Sequence, residues 1–305
     1  MSSIREEVPA ALDGERVDRV VAMLTGLSRA ECSALVAAGA VRAAGAAVRA
    51  RSQRLRQGQL VEIDWAEPAW SGPAADPSVT FPVVHEDDTV VVVDKPAGLV
   101  VHPGAGNAAG TLVNGLLARY PDMAGVGDPE RPGVVHRLDV GTSGLLVAAR
   151  TAHAYEHLVG QLSARTVERR YQALVWGEVG AERGVVDAAI GRSRRDPTRM
   201  AVSAEGRPAR TGYEVTARHR APAPLTSLAC RLETGRTHQI RVHLAAIGHP
   251  VVGDDRYGGR RAPLELNRPF LHAGELGFVH PATGALLRFV SPLPAELAEI
   301  LAGLG

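Results

Sequence analysis

The chain has 305 residues, 45% of them hydrophobic, which is enough for two domains with ordinary apolar cores and no need of a structural metal or disulfide framework. Its formal net charge is +1, so the chain as a whole lacks the excess of a strongly basic nucleic-acid binder, although arginine outnumbers lysine 33 to 1. Cys32 and Cys230 have neither disulfide nor zinc-ligand spacing, no apolar run approaches the roughly 18 residues of a membrane span, and the start of the chain, with Arg5, Glu6 and Glu7, does not read as a signal peptide, so a cytoplasmic protein with no membrane attachment is expected.

Residues 1–65 read as a small α/β domain. Val17, Val20, Val21 and Leu24 follow helical spacing, and Ser28 with Glu31 forms a capping box opening a second helix through Ala30, Leu35 and Val36, ended by Gly39. Val41 and Val48 flank a turn at Gly45, and residues 58–64 alternate as a half-buried strand. Arg42, Arg49, Arg51, Arg54 and Arg56 fall in a stretch with no acid, a stripe suited to phosphates; its bland alternative is a solvated face. Two short helices followed by short strands, with Arg16, Arg29 and Arg42 along them, resemble the RNA-binding domain of the S-four type.

Residues 66–80, with Pro68, Gly72, Pro73 and Pro77, read as a linker. Residues 81–305 predict an α+β domain on a mixed, largely antiparallel sheet. Strands are expected at 90–93, 144–149, 171–175, 211–217, 225–232 and 286–289, and helices at 110–119, 153–164, 237–247 and 294–301. Residues 192–220 carry a second arginine-rich stretch.

The most informative segment is His136-Arg137-Leu138-Asp139-Val140-Gly141-Thr142-Ser143-Gly144-Leu145-Leu146. Apolar runs at 132–135 and 145–149 read as buried strands around it, and strand alternation directs Arg137 away from Leu138 toward Asp139. A carboxylate at a bend between such strands needs a partner or a job, because burial alone penalises its charge.

This segment resembles the signature of the RluA/RluD family of RNA pseudouridine synthases. Asp94-Lys95-Pro96-Ala97-Gly98-Leu99, Arg169 to Gly177 and Leu232 to His243 fit the same family in order, and the extra N-terminal domain is closest to the RluD-like branch. The resemblance implies a cofactor-free, metal-free isomerase that breaks the ribose C1′ to uracil N1 bond and rejoins C1′ to C5. It implies Asp139 as nucleophile, Arg241 as its cationic partner, and Tyr171 as the ring stacked on the target base and a relay for the C5 proton. Ile240 is then the opposite apolar wall, Arg137 fills the gap left by a flipped uridine, and His136, Thr142 and Arg236 contact substrate. RNA binding falls to Arg16, Arg29, Arg42, Arg49 and Arg51. The implied substrate is structured large-subunit ribosomal RNA or its assembly intermediates, handled by a monomer. Val140-Gly141 replaces a usually charged pair, and Arg169 stands where lysine is usual, which leaves substrate preference open.

Other readings are weaker. Gly104 to Gly110 is one residue off a dinucleotide fingerprint and lacks a ribose-binding acid. His238 and His243 do not have zincin spacing. A glycosidase would need a second acid near a matching turn. The alternative of another class is a non-catalytic RNA-binding or ribosome-assembly factor on the same fold, and the joint presence of Asp139, Tyr171 and Arg241 argues against it.

Overall fold

The computed structural model describes residues 2–25, 29–65, 72–104, 106–264 and 266–305, in two compact units divided between Ser71 and Gly72. In the first unit, β1 (Ser2–Glu7), α1 (Val17–Thr25), α2 (Arg29–Ala37), β2 (Val41–Ala43), β3 (Ala46–Ala47) and β4 (Leu60–Trp65) follow in chain order. The strands form an antiparallel sheet in the order β1-β4-β2-β3. Val17, Val20 and Val21 of α1 bury against Val36, Val41, Val61 and Ile63, as the helical spacing predicts. β1, which pairs with β4 along its whole length, is not anticipated, because its polar residues carry no alternating pattern. The expected Ser28–Glu31 capping box and the Arg29 side chain lie outside the described residues.

The second unit contains β5 (Val83–Glu86), β6 (Val90–Lys95), α3 (Leu112–Arg119), β7 (Ser143–Ala149), α4 (Ala152–Ser163), β8 (Glu168–Trp176), β9 (Arg183–Asp187), β10 (Ile190–Arg192), β11 (Met200–Val202), β12 (Arg210–His219), β13 (Leu225–Leu232), α5 (Gln239–Ala246), β14 (Leu271–Val279), β15 (Leu286–Val290) and α6 (Ala295–Ala302). Among the described residues, nine strands make one sheet, ordered β5-β6-β7-β14-β8-β13-β12-β9, with β15 also on β14, and only β7 and β14 pair in parallel. The fold is thus mixed α/β and mostly sheet.

The sheet is covered on both faces at its β6–β7 end, which explains why these strands read as unbroken apolar runs rather than alternating ones. Val91, Val93, Leu146 and Ala148 pack toward α3 through Leu112, Val113 and Leu116. Val90, Val92, Leu145 and Val147 face the other way, toward Ala154 and Leu158 of α4. Each such valine or leucine side chain contributes about 1.5–3 kcal/mol by leaving water. Gly144 sits at φ +117°, and a Cβ there would lie 2.3 Å from the Ala273 carbonyl oxygen, so only glycine admits the close β7–β14 pairing.

Three expectations are corrected. Residues 132–135 do not form a strand; Val134 makes only an isolated bridge to Ala148, because Gly133 and the following bend turn the chain away. Residues 136–139 are irregular, so strand alternation does not orient Arg137. The stretch 72–80, read as the second half of a linker, is packed in the second unit: Asn114 Nδ2 donates to the Ala74 carbonyl at 2.6 Å, and the Asp76 amide donates to the Asn114 carbonyl.

Candidate active site

Asp139 stands in a tight turn closed by the Thr142 amide donating to the Asp139 carbonyl at 3.0 Å. The turn is clasped from behind. Gly98 N donates to the Val140 carbonyl at 2.7 Å, and Arg268 Nη1 donates to the Gly141 carbonyl and to Ser143 Oγ. Lys95, the chain's only lysine and fully buried, donates Nζ to the carbonyls of Pro96 and Leu99, each at 2.8 Å, and reaches the Val140 carbonyl at 3.5 Å. Burial pulls its pKa down to about 7, against the attraction of nearby Asp139 and with the repulsion of Arg268. Gly141 serves close packing, since a Cβ there would meet Pro269 at 2.8 Å.

Arg241 projects from α5 and joins two carboxylates. Its Nη1 donates to Asp139 Oδ2 at 3.1 Å, while Nε and Nη2 donate to Asp254 at 2.6 and 2.8 Å. Burial opposes the guanidinium charge, but Asp254 and Asp139 outweigh it and raise the pKa, so Arg241 stays cationic. Its Cζ lies 5.1 Å from the centroid of the Tyr257 ring. Asp254 is itself fixed by the amides of Arg256 and Tyr257. The start of α5 is anchored by Gln239, which accepts from Thr234 Oγ1 and the Arg236 amide and donates to the Arg210 carbonyl and Thr211 Oγ1.

A cavity of about 560 Å³ opens beside this ion pair, and Asp139, Arg241, Tyr171, Ile240, Arg137, His136, Thr142 and Arg236 all line it. The structure therefore brings together every catalytic and substrate-contacting residue expected from the sequence. Tyr171, on β8, is 5% exposed, and burial, with Asp139 adding to it and Arg169 opposing, pushes its phenol up to about 12. His136 accepts the Val147 amide on Nε2, and burial holds its pKa near 3 with Arg169 adding to the effect, so the ring is neutral. Arg137 Nη1 meets His102 Nε2 at 3.1 Å, and His102 Nδ1 faces the Pro103 carbonyl at 2.9 Å.

Sequence reading missed Asp254, Tyr257, His238, Arg169, His102 and the clasp made by Lys95. His238 takes a left-handed conformation, φ +57°, at the cap of α5, where Tyr257 Oη bonds its Nδ1 at 2.8 Å. A signal existed for Asp254 and Tyr257: Gly253-Asp254-Asp255-Arg256-Tyr257-Gly258 sets acids directly after the apolar Val251-Val252. In the first unit, Arg42, Arg49 and Arg51 are exposed with no carboxylate partner among the described residues, whereas Arg16 is engaged at both ends by Asp18 at 3.0 and 2.8 Å.

The site is thus a partly buried aspartate–arginine pair beside a pocket walled by a tyrosine, on a mixed sheet. The RNA pseudouridylate synthase family matches residues 89–246, and the chain belongs to that family. It is 45% identical to the ribosomal large subunit pseudouridine synthase D of Xanthomonas campestris, across 99% of this chain and 93% of that protein. It is 42% identical to an uncharacterized RNA pseudouridine synthase of Bacillus subtilis, across 95% and 94%. Among solved structures, human RNA Pseudouridylate Synthase Domain Containing 1 matches with a TM-score of 0.56 and 29% identity, covering 71% of this chain and 84% of that one. The protein is an RNA pseudouridine synthase.

Proposed function

We propose that this enzyme isomerises specific uridines in structured RNA, foremost large-subunit ribosomal RNA or its assembly intermediates, with Asp139 as the nucleophile. The observation that carries the reading is the 3.1 Å pair of Asp139 with Arg241 at the wall of the cavity that Tyr171 and Ile240 share. Arg241 sets a guanidinium 3.1 Å from Asp139 Oδ2, a cationic partner suited to orienting an attacking carboxylate. The relatives named ribosomal large subunit pseudouridine synthase D, which match this chain over nearly its full length, support the ribosomal substrate.

Tyr171 and Ile240 sandwich the flipped base. With a pKa near 12 the Tyr171 phenol is neutral in the resting enzyme, so it relays the C5 proton by passing on its own as it accepts another. Arg137 leaves His102 and fills the gap in the RNA stack, while His136, Thr142 and Arg236 contact the nucleotide. The first unit acts as an RNA-binding domain of the S-four type and tracks phosphates through Arg42, Arg49 and Arg51, together with Arg16 and Arg29. Isomerisation leaves the oxidation state unchanged, so the reaction needs no redox cofactor. The enzyme works as a monomer in the cytoplasm.

The test is a chemical map of pseudouridine in ribosomal and transfer RNA from cells with and without the gene, rescued by the parent or by Asp139→Ala. Loss of large-subunit sites restored by the parent alone is the expected result. An unchanged map would contradict it.

A further inference from the structure

Arg169 is a buried cation with no counter-ion among the described residues. Only 6% exposed, it has no carboxylate partner among the described residues, its Nε is buried without a hydrogen bond, and it lines the cavity. Burial lowers its pKa, and the only charge nearby that favours its protonated form is the ionised form of Tyr171. An unpaired buried guanidinium costs stability, and such a group persists where a ligand supplies the missing charge.

The surroundings are donors as well. Since His136 Nε2 accepts the Val147 amide, its proton lies on Nδ1, which is buried with no partner. Thr142 Oγ1 is buried without a partner too, and both residues line the same cavity. Space for the guanidinium is made by Gly235, where a Cβ would stand 3.1 Å from Arg169 Nη1. Arg169 and Tyr171 are two residues apart on β8 and are both buried, so they share one face of the strand.

We infer that Arg169, with His136 Nδ1 and Thr142 Oγ1, forms an anion pocket that stabilises the detached uracil during catalysis. The inference rests on the isomerase reading above and adds a catalytic group to it. When C1′–N1 breaks, its electron pair leaves with uracil as a monoanion spread over N1, O2 and O4, and an Asp139 carboxylate oxygen bonds C1′. The anion is held until C5 attacks C1′. The C1′–O bond then breaks and returns its pair to Asp139, the C5 proton leaves to a base, and N1 takes up a proton. A cation and two neutral donors match an oxyanion that develops only as the glycosidic bond breaks. A backbone phosphate is the other anion in this RNA, but Arg169 lies in the interior of the pocket beside the tyrosine expected to stack on the base.

The test compares single-turnover conversion of unmodified large-subunit ribosomal RNA transcripts made with uridine or with 5-fluorouridine, whose more acidic ring is the better leaving group. Arg169→Gln should slow glycosidic cleavage about 100-fold with uridine and about 10-fold or less with 5-fluorouridine, while transcript Kd stays within about threefold. Arg169→Lys should restore much of the uridine rate. Gly235→Ala, which crowds Nη1, should slow the parent and leave Arg169→Gln unaffected. Arg169→Met should melt a few degrees higher than the parent, since an unpaired buried charge is gone. Equal losses on both transcripts, or a loss confined to Kd, would overturn the inference and indicate a phosphate contact. An active parent with a fully active Arg169→Gln would overturn it alone, whereas a parent inactive on uridine transcripts would overturn the isomerase reading beneath it.

Discussion

Asp254 holds Arg241 with both carboxylate oxygens, at 2.6 and 2.8 Å, so that the arginine offers Asp139 a single Nη1 at 3.1 Å. The bidentate grip fixes the guanidinium, and the single bond leaves Asp139 an oxygen for substrate. Asp254→Asn should therefore lower unfolding free energy by about 3–5 kcal/mol, because a buried cation loses a partner, and should also lower kcat. Urea denaturation and single-turnover kinetics check both effects. Parent-like stability would mean the pair is dispensable.

Lys95 makes the stability of the fold depend on pH. Its folded pKa of about 7 lies below the ordinary lysine value, so between about pH 7 and 10 the unfolded chain holds a proton that the folded one has released. Stability from this group therefore rises with pH across that window. Lys95→Met, of similar volume, should flatten the rise by a few kcal/mol, as read by denaturation at pH 7 and pH 9.5. Parallel curves for parent and variant would show that Lys95 stays charged.

The helices at 112–119, 152–163, 239–246 and 295–302 were legible because each carries an apolar face, and β6 and β7 because both of their faces are buried. β14 was not. His272, Gly274, Glu275 and Gly277 interrupt its apolar pattern, and its place is set by pairing with β7 and β8 from distant parts of the chain. The site divides in the same way. Residues 136–142 lie in one stretch and could be read together, whereas Asp254, Tyr257 and Lys95 act by burial against that stretch, which spacing alone does not reveal. Arg169 escaped because the strand was expected to begin at Tyr171, two residues too late to set both on one face.

Gly144 tests the packing beneath the turn. Gly144→Ala places a methyl in the Ala273 backbone at a positive φ, and should cost at least about 2 kcal/mol in urea denaturation. A neutral substitution would mean that β7 and β14 can separate at no cost.

The arginine stripe of the first unit predicts salt dependence. Replacing Arg42, Arg49 and Arg51 together by glutamine should reduce the slope of log affinity against log salt by about 2–3 for large-subunit ribosomal RNA, with kcat unchanged at saturating RNA. An unchanged slope would make the stripe a solvated face.

Tritium release from transcripts bearing uridine labelled at C5 tests the central claim most directly, because forming the C5 glycosidic bond expels that hydrogen. The parent should release tritium from the uridines it isomerises, and Asp139→Asn should release it about 10³-fold more slowly or not at all, with RNA binding retained. Release by Asp139→Asn at the parent's rate would contradict the assignment of Asp139 as the nucleophile.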